Sequence, residues 1–175
     1  MDGISKREKM KIQYFDIKKS DFEFIKEVYD YYILNSTSTY YTERISVAEL
    51  KKFILINHKK YKSYLIKVND NYCGFCYISQ YKKRQAYDRT AEVSLYLKPE
   101  FTGQGIGENV LNHLGKVAKK NGICVLIGII SGDNEKSIRL FEKSGYEKCA
   151  HYKQIGEKFN KILDVVSYQK IINEL

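Results

Sequence analysis

No apolar run in the 175-residue chain approaches the ~20 residues that a helix needs to cross a bilayer, so no helical membrane span is expected. The first residues, Met1-Asp2-Gly3-Ile4-Ser5-Lys6-Arg7, lack an apolar signal core, and the cytosol is the expected compartment. Low-complexity linkers and internal repeats are also absent. One domain over residues 1–175 is therefore expected, with the polar stretch 1–11 as a frayed extension. Cysteine is scarce: Cys73, Cys76, Cys124 and Cys149. The Cys73-Gly74-Phe75-Cys76 spacing has no second such pair to complete a zinc site. Its surroundings have a strand pattern, on which residues three apart point to opposite faces, so buried free thiols and no metal are expected. Acidic residues are outnumbered 21 to 30, giving a net charge of +9. That balance suits a nucleic acid, an acidic lipid or a phosphate-rich cofactor. The lysines are dispersed and no nucleic-acid motif accompanies them, so neither a nucleic-acid nor a membrane partner is expected.

What is present is a regular alternation of patterns. Residues 12–17 alternate as a strand. Ser20-Asp21-Phe22-Glu23 has the form of a capping box, and Phe22, Ile25, Val28, Tyr29, Tyr32 and Ile33 follow at helical spacing to about Leu34. Ser46-Val47-Ala48-Glu49 is a second such box, predicting a helix to about Lys60. Strands are predicted over 63–68, 72–81 and 91–97, the first two joined by the turn Asn69-Asp70-Asn71. A helix from about Gly107 to Lys120 stops at Asn121-Gly122. The apolar run 123–130 predicts a strand buried on both faces, and Asn134 caps a helix from Glu135 to Ser144. Two last strands, 146–155 and 162–172, flank Gly156-Glu157-Lys158-Phe159-Asn160. The order β-α-α-β-β-β-α-β-α-β-β predicts a layered α/β (α+β) domain. Its sheet is mixed and mostly antiparallel, with one crossover through the helix after residue 107.

The stretch between the 91–97 strand and that helix carries the chemistry. Lys98-Pro99-Glu100-Phe101-Thr102 leads into Gly103-Gln104-Gly105-Ile106-Gly107. Alternate glycines free backbone N–H groups to converge, and a helix N-terminus adds its unpaired donors, the geometry for holding a pyrophosphate. Two nucleotide patterns fail here. A P-loop needs Lys-Ser or Lys-Thr after the last glycine, where this chain has Glu108-Asn109. The dinucleotide fingerprint needs a glycine at 108.

Taken together, the ordered motifs resemble the GCN5-related N-acetyltransferase (GNAT) superfamily, nearest its phosphinothricin and methionine sulfoximine acetyltransferase branch. The letters that carry the resemblance begin with Ile33-Leu34-Asn35-Ser36-Thr37, Arg84-Gln85-Ala86-Tyr87, Thr90-Ala91-Glu92 and the Gly103–Gly107 loop. They continue through Asn134-Glu135-Lys136-Ser137-Ile138, Phe141 to Tyr146, Gly156 to Phe159 and Leu163-Asp164-Val165. The resemblance implies a helix-flanked sheet with acetyl-CoA at splayed central strands. It also implies attack of a small primary amine, of amino-acid type, on the thioester. It assigns the pyrophosphate to Gly103, Gln104, Gly105, Ile106, Gly107 and Glu108, and the pantetheine amides to Leu95, Tyr96 and Leu97. A free N–H near Leu97 would serve as oxyanion donor. Asn134 would contact the cofactor and Lys143 its 3′-phosphate. Glu92 would be the base, since an ammonium must lose a proton before it attacks. Gln85, Ala86 and Tyr87 would help form the substrate pocket, with Asn35 to Thr39 as its opposite wall. A homodimer is implied as well.

The chain departs from the superfamily in three places. Thr102 stands where Arg or Gln is usual, Glu108 places a negative charge beside the expected phosphates, and Phe141 lacks the hydroxyl of the tyrosine acid found in many relatives. Other readings stay open: a protein N-terminus or a polyamine as the acceptor, or a non-catalytic acyl-CoA or nucleic-acid-binding module on the same fold.

Overall fold

The alternating residues Ile12–Asp16 (β1), Ser63–Val68 (β2), Asn71–Gln80 (β3) and Thr90–Leu97 (β4) form successive antiparallel neighbours in a computed structural model that describes residues 10–173. Val125–Ser131 (β5) lies parallel to β4, and the hairpin Glu147–Lys158 (β6) and Lys161–Ile171 (β7) closes the order β1-β2-β3-β4-β5-β7-β6. The mixed, mostly antiparallel sheet follows the expected element order. The expectation for residues 1–9 lies outside the described residues. Met10 and Lys11, however, are not frayed: Met10 packs against the core, and Lys11 exchanges hydrogen bonds with Asn69.

Helices cover both faces. Phe22–Asn35 (α1) buries Phe22, Ile25, Val28, Tyr29 and Ile33 against Leu65, Phe75, Tyr77 and Tyr96. Ile106–Lys120 (α3) buries Ile106, Val110, Leu111, Leu114 and Ala118 on the opposite face, beside Glu135–Lys143 (α4). Each large apolar side chain so buried contributes about 1.5–3 kcal/mol, and this packing holds the sheet between its two helix layers.

Four details differ from the sequence expectation. The first helix does not use Ser20 as its cap. Residues 19–21 form a 3-10 turn, and the Asp21 carboxylate instead accepts from the Lys18 N–H at 2.8 Å. The second helix (α2) is a single turn, Val47–Leu50, although Ser46 caps it as expected by accepting from the Glu49 N–H at 3.1 Å. It ends early because Phe53, Ile54 and Ile56 pack on the α1 face while Leu55 packs on the other, which one helical stripe cannot provide. Cys73 and Cys76 do not face opposite sides: both join the core beneath α3. Cys73 is the extra residue of a bulge opposite Ile66 and Lys67, and the bulge resets the alternation. Both are buried free thiols, as expected. Finally, β6 runs through Gly156 to Lys158, and the turn falls at Phe159-Asn160, both left-handed (φ 54° and 56°).

Candidate active site

The pairing of β4 with β5 lasts three residues: Thr90 with Val125, Ala91 with Leu126 and Glu92 with Ile127. Past Glu92 the two strands part, while β4 stays paired to β3 as far as Leu97. The Lys98 N–H donates to the Cys73 carbonyl at 2.7 Å, so alternation turns the backbone groups of Leu95 and Leu97 away from β3, into the opening. The Leu97 carbonyl there accepts from the Tyr32 hydroxyl at 2.5 Å. Burial pushes that hydroxyl's pKa up to about 12, so it stays a donor at neutral pH. The Leu97 N–H points into the same opening.

At the end of β4 a 3-10 turn over Pro99–Phe101 delivers the chain to the glycine loop. Gly103 and Gly105 are left-handed (φ 73° and 80°), and a Cβ added at either would meet nothing within 4 Å. Their need for glycine is conformational, and the space above them is open. Gly105 is the N-cap of α3 and offers no side chain to the helix start. Among the described residues no loop or turn bond takes up the N–H groups of residues 103–108. The side chains fold back instead: Thr102 Oγ1 donates to the Pro99 carbonyl and Gln104 Nε2 to the Glu100 carbonyl. At Gly107 a Cβ would lie 2.7 Å from Leu140 Cδ2, so a side chain there would push the leucine's methyl end aside. Glu108 does not stand alone. Its carboxylate pairs with Lys143 Nζ at 3.2 Å, so the charge that was unfavourable beside an anion is offset by the lysine expected at a phosphate.

Glu92 sits where the strands part. Its side chain shares a β4 face with Ser94 and Tyr96, across from Ser79 and Tyr77. Burial pushes its carboxyl pKa above the ordinary value, which suits proton transfer nearer neutrality. Asn134 does two things: its Oδ1 accepts from the Ser137 N–H at 3.2 Å, capping α4, and its Nδ2 donates to Ser38 Oγ at 2.9 Å. That second bond lays the segment 36–39 across the opening between β4 and β5. Gln85, Ala86 and Tyr87 form a 3-10 turn in the β3–β4 connection, at the Glu92 end of the strand, with Gln85 and Ala86 exposed and Tyr87 half-buried. Lys82 Nζ lies 5.1 Å and 5.3 Å from the ring centroids of Tyr81 and Tyr87, which fixes the turn against its own hairpin. Phe141 is core: it packs over Gly128 and edge-on to Tyr146 at 4.9 Å.

Tyr32 and Lys158 were not singled out by the sequence as site residues, and Ser38 was expected only as part of the Asn35–Thr39 wall. Tyr32 looked like one more apolar helix position, and nothing local announces that its hydroxyl reaches β4. The splay, the glycine cradle and the helix-flanked mixed sheet together form an open strand edge that leads to an uncapped helix N-terminus suited to an anion.

Comparison with known proteins makes the assignment. The model of the acetyltransferase (GNAT) domain matches residues 16–166. The chain belongs to the GNAT acetyltransferase family and is an N-acetyltransferase. It is 26% identical to the L-methionine sulfoximine/L-methionine sulfone acetyltransferase of Salmonella typhimurium, over 94% of this chain and 96% of that one. It is 24% identical to the phosphinothricin N-acetyltransferase of Streptomyces coelicolor, over 87% and 91%. Among solved structures, a phosphinothricin acetyltransferase from Sinorhizobium meliloti in complex with acetyl-CoA superimposes with a TM-score of 0.85 at 30% identity, covering 91% and 88% of the two chains.

Proposed function

We propose that this protein transfers the acetyl group of acetyl-CoA to the primary amine of a small amino-acid-like molecule of the phosphinothricin or methionine sulfoximine type. The observation that carries the reading is the ladder left open on β4 past Glu92, ending at an uncapped, glycine-built helix N-terminus. An extended amide chain fits such an edge as a strand would, and a pyrophosphate fits the N–H groups of Gly103 to Glu108. When bound, acetyl-CoA supplies the acyl group as a thioester.

The chain's own residues do the rest. Leu95 and Leu97 present backbone groups to the pantetheine amides, with Tyr96 between them holding the strand's other face. The Leu97 N–H is aimed into the opening, where a preorganised donor stabilises charge developing on the carbonyl oxygen. Glu92 accepts the ammonium proton, directly or through water, and its buried carboxyl is tuned toward that task. Asn134 and Lys143 stand beside the cofactor's path, Lys143 held ready by Glu108. The exposed cations Lys82, Lys83 and Arg84, next to Gln85, Ala86 and Tyr87, favour an acceptor that carries a carboxylate. The names of the similar enzymes support the same acceptor class. The exposed Tyr152, Ile155, Phe159 and Ile162 on the β6–β7 hairpin favour a homodimer.

The test is an amine panel with acetyl-CoA, scored by free thiol release. Phosphinothricin and methionine sulfoximine are expected to turn over well ahead of spermidine and of peptide N-termini. Preference for the polyamine or the peptides would overturn the acceptor assignment. A thermal shift with nucleic acid and none with acetyl-CoA would overturn the enzymatic one.

A further inference from the structure

Lys158 is a lysine in an unusual place. It ends β6, yet only 3% of its surface is exposed. Its ammonium donates to the carbonyls of Ser36 and Thr39, each at 2.7 Å, with a longer contact to the Tyr32 carbonyl at 3.5 Å. Every one of these acceptors is a neutral backbone oxygen. Tyr32 lies in the last turn of α1 and Ser36 is its C-cap, where the negative end of the helix dipole favours a cation. Burial pulls the Lys158 pKa below the usual lysine range. Burying an ammonium is costly unless it is fully hydrogen-bonded, so the arrangement calls for a reason in what it holds.

What it holds is the segment across the splay. Residues 36–39 are gripped on their other flank by Asn134 Nδ2 on Ser38 Oγ at 2.9 Å and by Thr37 Oγ1 on the Asp133 carboxylate at 2.8 Å. The Tyr96 hydroxyl reaches the Ser38 carbonyl at 3.4 Å, over the same β4 face that carries Glu92. The segment is thus a strap tied to β4 and to the start of α4, and Lys158 fixes both of its ends. We infer that Lys158 is a positioning residue that holds the Ser36–Thr39 strap over the parted strands and thereby sets affinity for the acceptor amine. This rests on the acetyltransferase reading proposed above. Lys158 touches no reacting atom; it acts through the strap.

The experiment compares Lys158→Met and Lys158→Arg with the parent enzyme, separating the two KM values from kcat and following amide hydrogen exchange in residues 36–40. Loss of the charged donors is expected to raise KM for the amine about tenfold and to speed exchange in the strap. KM for acetyl-CoA should rise clearly less than KM for the amine, because among the described residues the glycine loop makes no hydrogen bond to the strap, which joins the cofactor residues through Asn134 and Tyr96. Arginine, which keeps a charged donor set, should recover most of the amine affinity. An unchanged amine KM, or a loss in kcat alone, overturns the inference. If the methionine variant does not fold, Lys158→Gln carries the same expectation. If the parent acetylates no amine in the panel, the functional reading fails by itself, and exchange still decides the strap: unaltered protection of 36–39 in the variant refutes it.

Discussion

Replacing Gly105 with alanine separates the two reasons a glycine can be required. At φ 80° an alanine pays the left-handed penalty, about 1–2 kcal/mol. Stiffening the unfolded chain returns about 0.4–1 kcal/mol. No steric cost is added, since the new Cβ meets nothing within 4 Å. The net loss is about 1 kcal/mol, or roughly 2–4 °C in Tm for a chain of this size. Gly122 is a control within the same helix: it follows the C-terminus of α3, has φ 76°, and its Cβ also meets nothing within 4 Å. Both variants should therefore melt a few degrees lower, by similar amounts. They should part in kinetics. The methyl at 105 stands among the N–H groups proposed to hold the pyrophosphate, and KM for acetyl-CoA should rise about tenfold, the equivalent of about 1.4 kcal/mol. The methyl at 122 should leave that KM alone. Melting curves and initial rates at varied acetyl-CoA suffice. An equal KM effect in both variants, or none in either, would refute the cradle. A fall in Tm far larger at 105 than at 122 would refute the strain reasoning.

Three further outcomes follow from the packing around the site. Glu92→Gln should lower kcat/KM at neutral pH about 100-fold while leaving acetyl-CoA affinity intact; an unchanged rate removes Glu92 from the chemistry. Burial raises the Glu92 pKa in the folded state above its ordinary 4.5, so its stabilising contribution is present below that value and fades as pH rises through the folded pKa. The glutamine variant should accordingly gain in Tm over the parent as pH increases toward neutrality, and a Tm difference independent of pH would contradict this. Gly128→Ala would put a Cβ 2.1 Å from Phe141 Cε1, an overlap expected to cost about 3 kcal/mol, and Phe141→Leu in the same chain should restore part of the lost Tm.

Local signals predicted the parts of the fold that are decided locally. Asn69-Asp70 takes the positive φ of a tight turn, and Gly122 the left-handed φ that ends α3, because those residue types tolerate the conformation by themselves. The bulge at Cys73 was out of reach, since its cause is the register against Ile66 and Lys67 on another strand. The early end of α2 has the same origin: Leu55 and Ile56 are claimed by opposite cores. In the site, the glycines, Glu92 and Asn134 were legible as motif letters. Lys158 was legible only as a letter of its motif, because its partners are backbone carbonyls far away in sequence, and a carbonyl carries no residue identity. The pairing of Glu108 with Lys143 spans two helices and turns an apparent defect of the cradle into a paired charge.

The parted strands also bear on how long the folded protein lasts in a cell. A sheet that leaves part of a central ladder unmade holds stability in reserve, to be collected when a ligand fills the edge. Ligand binding to the native state alone adds RT ln(1 + [L]/Kd), about 2.7 kcal/mol at a hundredfold excess over Kd. On the proposed reading, the folded population therefore rises and falls with the acetyl-CoA supply. A cell short of acetyl donor would then hold a less stable, more readily degraded enzyme at the moment it has least substrate to transfer.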